Sequence, residues 1–102
     1  MDYFELECAV EQWAKDKGIL EEATSMKQAI KTLEEITELI EAVADNDPEA
    51  IKDAIGDVVV TLIIQCKLRG ITLEQCLEHA YTQISSRTGK MVDGMFIKDP
   101  EQ

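Results

Sequence analysis

Apolar residues recur along most of the chain at the three- and four-residue intervals of an amphipathic helix, in four segments set apart by helix start and stop signals. The first segment begins at Asp2, with Glu5 three residues on as a capping box, and runs to about Lys17 before Gly18. The second starts near Ser25, with Gln28 in the box position, and runs to about Asp45. Met26, Ile30, Leu33, Ile40 and Ala44 form its apolar stripe, opposite Lys27, Lys31, Glu34, Glu35, Glu38 and Glu41. The third has Asp47 as cap and Pro48 at the first helical position, and stops at Gly70. Its main stripe is Ile51, Ile55, Val58, Val59, Leu62 and Cys66, while Val60 and Ile64 lie on the other side, so this helix is expected to be buried all round. The β-branched run Val58 to Ile64 suggests a strand, but the length from Pro48 to Gly70 and the caps decide for helix. The fourth opens at Thr72, with Glu74 and Gln75 in its first turn, and fades near Ser86. Beyond Gly89, Asp93-Gly94 sits between apolar residues, a type I′ hairpin signal. The expectation is an all-α, four-helix bundle-like domain over residues 1–102, with a short extended or hairpin tail too short to be stable alone.

Length, composition and charge narrow the class. With 102 residues the chain supports one modest core, and 45% hydrophobic against 30% charged residues describes a globular protein. No apolar run approaches the roughly 20 residues of a membrane span, and no signal peptide is evident, so a cytoplasmic protein is expected. Cys8, Cys66 and Cys76 are odd in number, lack CxxC spacing and lie on apolar stripes, which reads as buried free thiols. Cys76 and His79 could meet on a helix, but two ligands do not make a zinc site. A net charge of −11 argues against nucleic-acid binding. Residues 87–98 run against this trend: Arg87, Lys90 and Lys98 outweigh Asp93. A polyanionic ligand could approach the acidic part only with metal ions between, while the basic tail could touch phosphate directly.

The candidate chemistry lies in the carboxylates. On the second helix Glu35 and Glu38 are three apart and Glu34 and Glu38 four apart, so their carboxylates can converge. Asp57 lies one turn before Val60 and Thr61, on the expected second buried face, with Asp53 one turn earlier. Antiparallel packing across the tight Asn46-Asp47-Pro48 connection would bring Glu35 and Glu38 within reach of Asp53 and Asp57. Oxygen ligands on facing helices, with no His or Cys, suit Mg²⁺ or Mn²⁺. The plain alternative is a set of surface acids, with Asp57 satisfied by a lysine.

The residues Gln28-x-x-Lys31-x-x-Glu34-Glu35-x-x-Glu38-Leu39, followed by Gly56-Asp57 in an apolar helix, resemble the MazG-like nucleotide pyrophosphohydrolases. These belong to the all-α nucleoside triphosphate pyrophosphatase superfamily, with an EExxE motif and a later ExxD. Trp13 and the ending Tyr81-x-x-Ile84-x-x-Arg87-x-Gly89-Lys90-Met91-x-x-Gly94-x-Phe96-x-Lys98 are similar to the short, single-domain members carried by phages and mobile elements. One departure stands out. The first acid of ExxD falls at position 54, where this chain has Ala54. Either Asp53 supplies that ligand or the site binds fewer cations, or binds them more loosely.

The resemblance implies hydrolysis of a (deoxy)nucleoside triphosphate to monophosphate and pyrophosphate. It implies Mg²⁺ (or Mn²⁺) held by Glu35, Glu38 and Asp57, with Asp53 as the nearest substitute for the missing acid and Glu34 orienting or deprotonating the attacking water or holding an additional metal. Gln28, Lys31, Arg87, Lys90 and Lys98 are its candidates for substrate binding, Arg87 being the best suited to a bidentate grip. Trp13 either stacks on the base or packs in the core. A helix buried on all sides needs more partners than one chain supplies, so a homodimer or homotetramer is expected, with the basic tail reaching a neighbour's site. A non-catalytic nucleotide- or metal-binding regulator is the alternative that Ala54 favours, and a plain helical interaction module is a third.

Overall fold

Two of the four inter-helix connections are closed by the same hydrogen-bonded device, and these set the direction of the helices. In a computed structural model describing residues 1–100, α1 spans Tyr3–Asp16, α2 Ile19–Glu22, α3 Ser25–Ala44, α4 Pro48–Leu68 and α5 Leu73–Ile84, followed by β1 Gly89–Val92 and β2 Met95–Lys98. After α3 the Asn46 amide bonds the Val43 carbonyl and the Asp47 amide bonds the Ala42 carbonyl, with Asn46 left-handed at φ 49°. This is a Schellman closure, and Asp47 at once caps α4 by accepting from the Ala50 amide at 3.2 Å. Chain reversal in three residues lays α4 antiparallel against α3. Gly70, at φ 71°, repeats the device after α4, its amide bonding Lys67 and that of Ile71 bonding Cys66.

The expected caps at Asp2/Glu5, Asp47/Pro48 and Thr72/Gln75 are all made. Thr24, not Ser25, caps α3, through a bond from the Lys27 amide, so Gln28 is free of the capping box and turns inward. The one-turn helix α2 adds a fifth helix to the four expected. It is too short for its apolar positions to show a period.

The core is small and lies along α4. α3 covers one side of it and α1 with α2 another. Ala14, Ala42, Ala54, Ile63, Ile64 and Cys66 are buried, the three alanines letting the helices approach closely. Polar groups, buried and partly exposed, are paired across the same seams. Glu7 on α1 accepts the Leu73 amide at 3.0 Å, anchoring the first turn of α5, and Glu11 pairs with Lys67 at 3.3 Å. The Cys66 and Cys76 sulfurs touch at 3.7 Å, and burial together with that contact pushes the Cys66 thiol up to about 11. Cys8, expected to be buried, is exposed, because it lies at the open cleft that Glu11, Leu20 and Lys67 also line.

α5 packs mainly along α4, with its first turn bonded to Glu7 of α1, and the hairpin stands away from the helical core. Asp93 and Gly94, at φ 50° and 81°, form the expected I′ turn, pairing Gly89 with Lys98 and Met91 with Phe96. A Thr88–Asp99 clasp closes the base, its hydroxyl donating to the carboxylate at 2.7 Å. The Phe96 ring lies over Gly89, where a Cβ would come within 2.5 Å of it. No helix among the described residues is long and apolar enough to cross a membrane.

Candidate metal centre

The α3–α4 seam is polar where a helix pair is usually apolar. From α3 the inward positions are Gln28, Thr32, Glu35, Leu39 and Ala42, spaced four and three apart, which places them on one face. Thr61 of α4 is buried opposite them. Its carbonyl accepts from Gln28 Nε2 at 3.1 Å, and its hydroxyl accepts from Thr32 at 2.9 Å while donating to Val58 at 2.7 Å. One turn further along the seam, Gln65 donates to the Ser25 carbonyl at 2.8 Å. These cross-helix bonds fix the register of α3 on α4.

In that register Glu35, Glu38 and Asp57 come together, with one carboxylate oxygen from each within 4.8 Å of the others. Glu35 is the inner member. Its Oε1 faces Lys31 at 3.6 Å, while its Oε2 is buried without a hydrogen-bond partner among the described residues. Its carboxyl is held above the usual range, chiefly by sharing a hydrogen bond with Glu38, then by burial and by the Glu38 charge; Lys31 opposes the shift. Lys31 also pairs with Glu34 at 3.3 Å, and those contacts raise its own pKa. Three convergent carboxylates with an unpartnered buried oxygen and no His or Cys fit a hard divalent cation: each carboxylate gains a partner, and the repulsion between Glu35 and Glu38 is neutralised.

Beside the trio is a cavity of about 480 Å³, in the size range of small-molecule sites. Glu35 and Asp57 form its acidic edge, Lys27 and Lys31 its basic edge, and Trp13, Ile19, Ala23 and Val60 its apolar wall. Gln28, expected to touch substrate, also lines it, with its amide nitrogen already committed to Thr61.

Other sequence candidates fall elsewhere. Asp57 is exposed at the cavity rim rather than buried, although Ala54, Thr61 and Ile64 on the same side of α4 are buried. Asp53 is exposed and outside the trio; it lines an adjoining cleft together with Glu38 and Asp57 of the trio and with Glu41 and Asp45. Ala54, where the family pattern has an acid, is buried against the seam. Glu34 points to solvent with Lys31 and does not join the trio. Arg87 and Lys98 line a separate cleft on the projecting arm with Gln83 and Ser86, and Lys90 is exposed on β1. Thr61 and Glu7 escaped the sequence reading. Both interrupt apolar runs at positions that face a neighbouring helix, a pattern that signals a paired buried polar group only once the packing is known.

Comparison with known proteins settles the family. The model of the MazG nucleotide pyrophosphohydrolase domain matches residues 18–92, most of the chain and every member of the trio. The chain belongs to the MazG family. An uncharacterized 18.2 kDa protein from the rep–hol intergenic region of Haemophilus phage HP1 is 48% identical over 58 residues. That match covers 57% of this chain and 36% of the phage protein, so the chain spans about a third of its relative's length. No solved structure matches significantly. A MazG domain is a nucleotide pyrophosphohydrolase-type module, and enzymes of this family depend on divalent metal.

Proposed function

We propose that this MazG domain hydrolyses a nucleoside or deoxynucleoside triphosphate to the monophosphate and pyrophosphate, with Mg²⁺ or Mn²⁺ held by Glu35, Glu38 and Asp57. The observation that carries this reading is the convergence of those three carboxylates within 4.8 Å, around an unpartnered buried oxygen, at the edge of a cavity large enough for a nucleotide. When bound there, a divalent cation supplies charge neutralisation for the phosphates and a more acidic water.

The chain's own residues divide the remaining work. Lys31, held between Glu34 and Glu35, presents its ammonium at the cavity edge, where Lys27 adds a second cation for phosphate oxygens. Trp13, with Ile19 and Ala23, offers an apolar wall on which a base can stack. The Gln28–Thr61 and Thr32–Thr61 bonds hold α3 and α4 in one register, so the carboxylates are positioned before substrate arrives. Glu34, engaged by Lys31 outside the trio, serves best by holding Lys31 in place.

A second reading, nucleotide binding without turnover, is favoured by Ala54 standing where the family pattern has an acid. One experiment separates the two. Pyrophosphate release is measured across nucleoside triphosphates, with Mg²⁺ and with a chelator, for the parent and Asp57→Asn. The enzyme reading expects metal-dependent release from the parent and a loss of at least about 100-fold in the variant, as for removal of a group that stabilises transition-state charge. Binding without metal-dependent release selects the regulator, and release that Asp57→Asn leaves unchanged removes these residues from the site.

A further inference from the structure

The corner between α4 and α5 brings two thiols into contact. Cys66 lies in the last turn of α4 and Cys76 in the first turn of α5, and their sulfurs stand 3.7 Å apart. Backbone bonds hold both residues in place. The Cys66 carbonyl accepts from the Arg69 and Ile71 amides, both at 3.0 Å, and the Cys76 amide donates to the carbonyl of the cap Thr72 at 3.2 Å. Gly70, left-handed at φ 71°, turns the chain between them, and Glu7 ties the same corner to α1 through the Leu73 amide. A cysteine sulfur hangs on one torsion, so a fixed backbone leaves it few positions. The sulfurs therefore meet because the corner is built to a single shape.

The two thiols differ in surroundings. Cys66 is buried, while Cys76 is partly open to solvent. Burial, the contact with Cys76 and the Glu7 charge all hold the Cys66 thiol in its protonated form. Cys76 is therefore the group that an oxidant arriving from water meets first, with Cys66 in contact behind it. An accessible thiol backed by a second one is the arrangement that stops oxidation at a reversible disulfide, because the second sulfur captures the first oxidised form before it can go further.

We propose that Cys66 and Cys76 are a modification site, at which a two-electron oxidant of the hydroperoxide class joins them in a disulfide that locks α5 to α4. The Cys76 thiolate attacks one peroxide oxygen, the O–O bond breaks, and the departing oxygen takes up a proton and leaves as water. Cys76 is then a sulfenic acid. The Cys66 sulfur attacks the Cys76 sulfur, the S–S bond forms as the S–O bond breaks, and the hydroxyl leaves as water with the Cys66 proton. Two thiols lose two electrons and two protons, and hydrogen peroxide becomes two waters. Closure asks the sulfurs to approach by about 1.7 Å, from their 3.7 Å contact to a bonded length. α5 can supply that movement, since Leu77, Tyr81 and Ile84, beyond its first turn, are exposed and unclamped by neighbours. The closed bond fixes the helix that leads into the arm with Arg87 and Lys98. Neither cysteine borders the cavity beside the carboxylate trio, so the proposal does not depend on the enzymatic reading.

The test uses the full chain carrying Cys8→Ser, which removes the exposed third thiol. After brief exposure to hydrogen peroxide, at a dose that oxidises Cys8 in the parent, thiol titration in denaturant should find neither remaining thiol. Intact mass should fall by two hydrogens, and peptide mapping should join Cys66 to Cys76 within one chain. The melting temperature should rise by about 5 °C or more, as for a bond closing a short loop in a small domain, and dithiothreitol should reverse the rise. Adding Cys76→Ser, at a partly exposed position that can take a hydroxyl, should leave Cys66 unreacted at the same dose and abolish the rise. The mapping on the Cys8→Ser chain decides the matter even if that second variant folds poorly. Two intact thiols, Cys76 carried on to a sulfinic acid with Cys66 still free, a bond between chains, or an oxidised chain that melts no higher than the reduced one overturns the proposal.

Discussion

The two faces of α3 invert the usual rule. Toward its own chain the helix presents Gln28, Thr32 and Glu35, and toward solvent it presents Met26, Ile30, Leu33 and Ile40. Burial of apolar area would rank the faces the other way. The inward face instead gains directed bonds: Thr61 is met by both Gln28 and Thr32, and Glu35 is set against Glu38 and Asp57. Such polar pairs add modest stability, but they are costly to mismatch, so they define a single register. The inner face thus trades stability for position, and the outer face holds the apolar area that association can recover.

The largest effect that could break this contrast is thermal. Glu35→Gln keeps the shape of the inner face and removes a charge from the trio, so it should abolish the rise in melting temperature that Mg²⁺ or Mn²⁺ gives the parent. The pH dependence follows from the same group. Glu35 has a raised folded-state pKa, so its contribution to metal-free stability is full below its ordinary value near 4.5 and is lost as pH rises through the raised one. Metal-free melting temperature should therefore fall over that window while the metal-induced increment grows, and both trends should flatten in Glu35→Gln. Scans at several pH values, with metal and with chelator, decide it. An unchanged metal increment in the variant would mean that cations bind elsewhere.

A smaller effect tests whether the polar seam sets register or merely tolerates it. Thr61→Val keeps the side-chain shape and deletes the hydroxyl that accepts from Thr32 and donates to Val58. Urea unfolding should show a loss of about 1 kcal/mol, the net worth of an ordinary internal hydrogen bond. Its effect on turnover should exceed its effect on stability, because a slipped α3 carries Glu35 and Glu38 away from Asp57. Equal stability and full turnover would show that the seam needs only shape.

Much of the fold was legible because helix ends carry local chemistry. Asp2 with Glu5, Asp47 with Pro48, Thr72 with Gln75 and the Asp93-Gly94 turn each act within four residues, and each stands where the sequence placed it. The single turn Ile19–Glu22 was not legible, being shorter than the window in which a period can be counted. Burial was legible only in part. Ile64 is buried as expected, by neighbours within its own chain, but Ile55 of the main stripe is exposed, so α4 is not buried all round, and α3 and α5 also carry exposed apolar residues. Periodicity locates a face and not its destination. The acidic residues indicated that destination for α3, since Glu35 and Glu38 could meet Asp57 only if the apolar stripe pointed out. The basic tail was legible as a hairpin, yet Arg87 and Lys98 sit on an arm apart from the trio's cavity.

The smallest expected effect concerns Asp53, the nearest acid to the position that Ala54 leaves without one. On a straight helix Asp53 and Asp57 share a side, which makes replacement plausible from spacing alone. Both line one cleft with Glu38, Glu41 and Asp45, but only Asp57 brings a carboxylate oxygen together with those of Glu35 and Glu38, and Asp53 stays outside the trio. Its remaining influence is a single negative charge in water near Glu38, where solvent and salt screen strongly. Asp53→Asn should therefore lower kcat/KM by no more than about threefold, an effect under 1 kcal/mol, and should leave the metal-induced melting shift in place. Ala54→Glu gives the complementary test, since it restores the family acid at a buried position beside Glu38, Asp53 and Asp57. It should destabilise the metal-free chain by crowding and by adding charge at the seam. If Asp53→Asn instead costs as much turnover as Asp57→Asn, the inner face of α3 meets four carboxylates in the working enzyme, and the three-residue centre is incomplete.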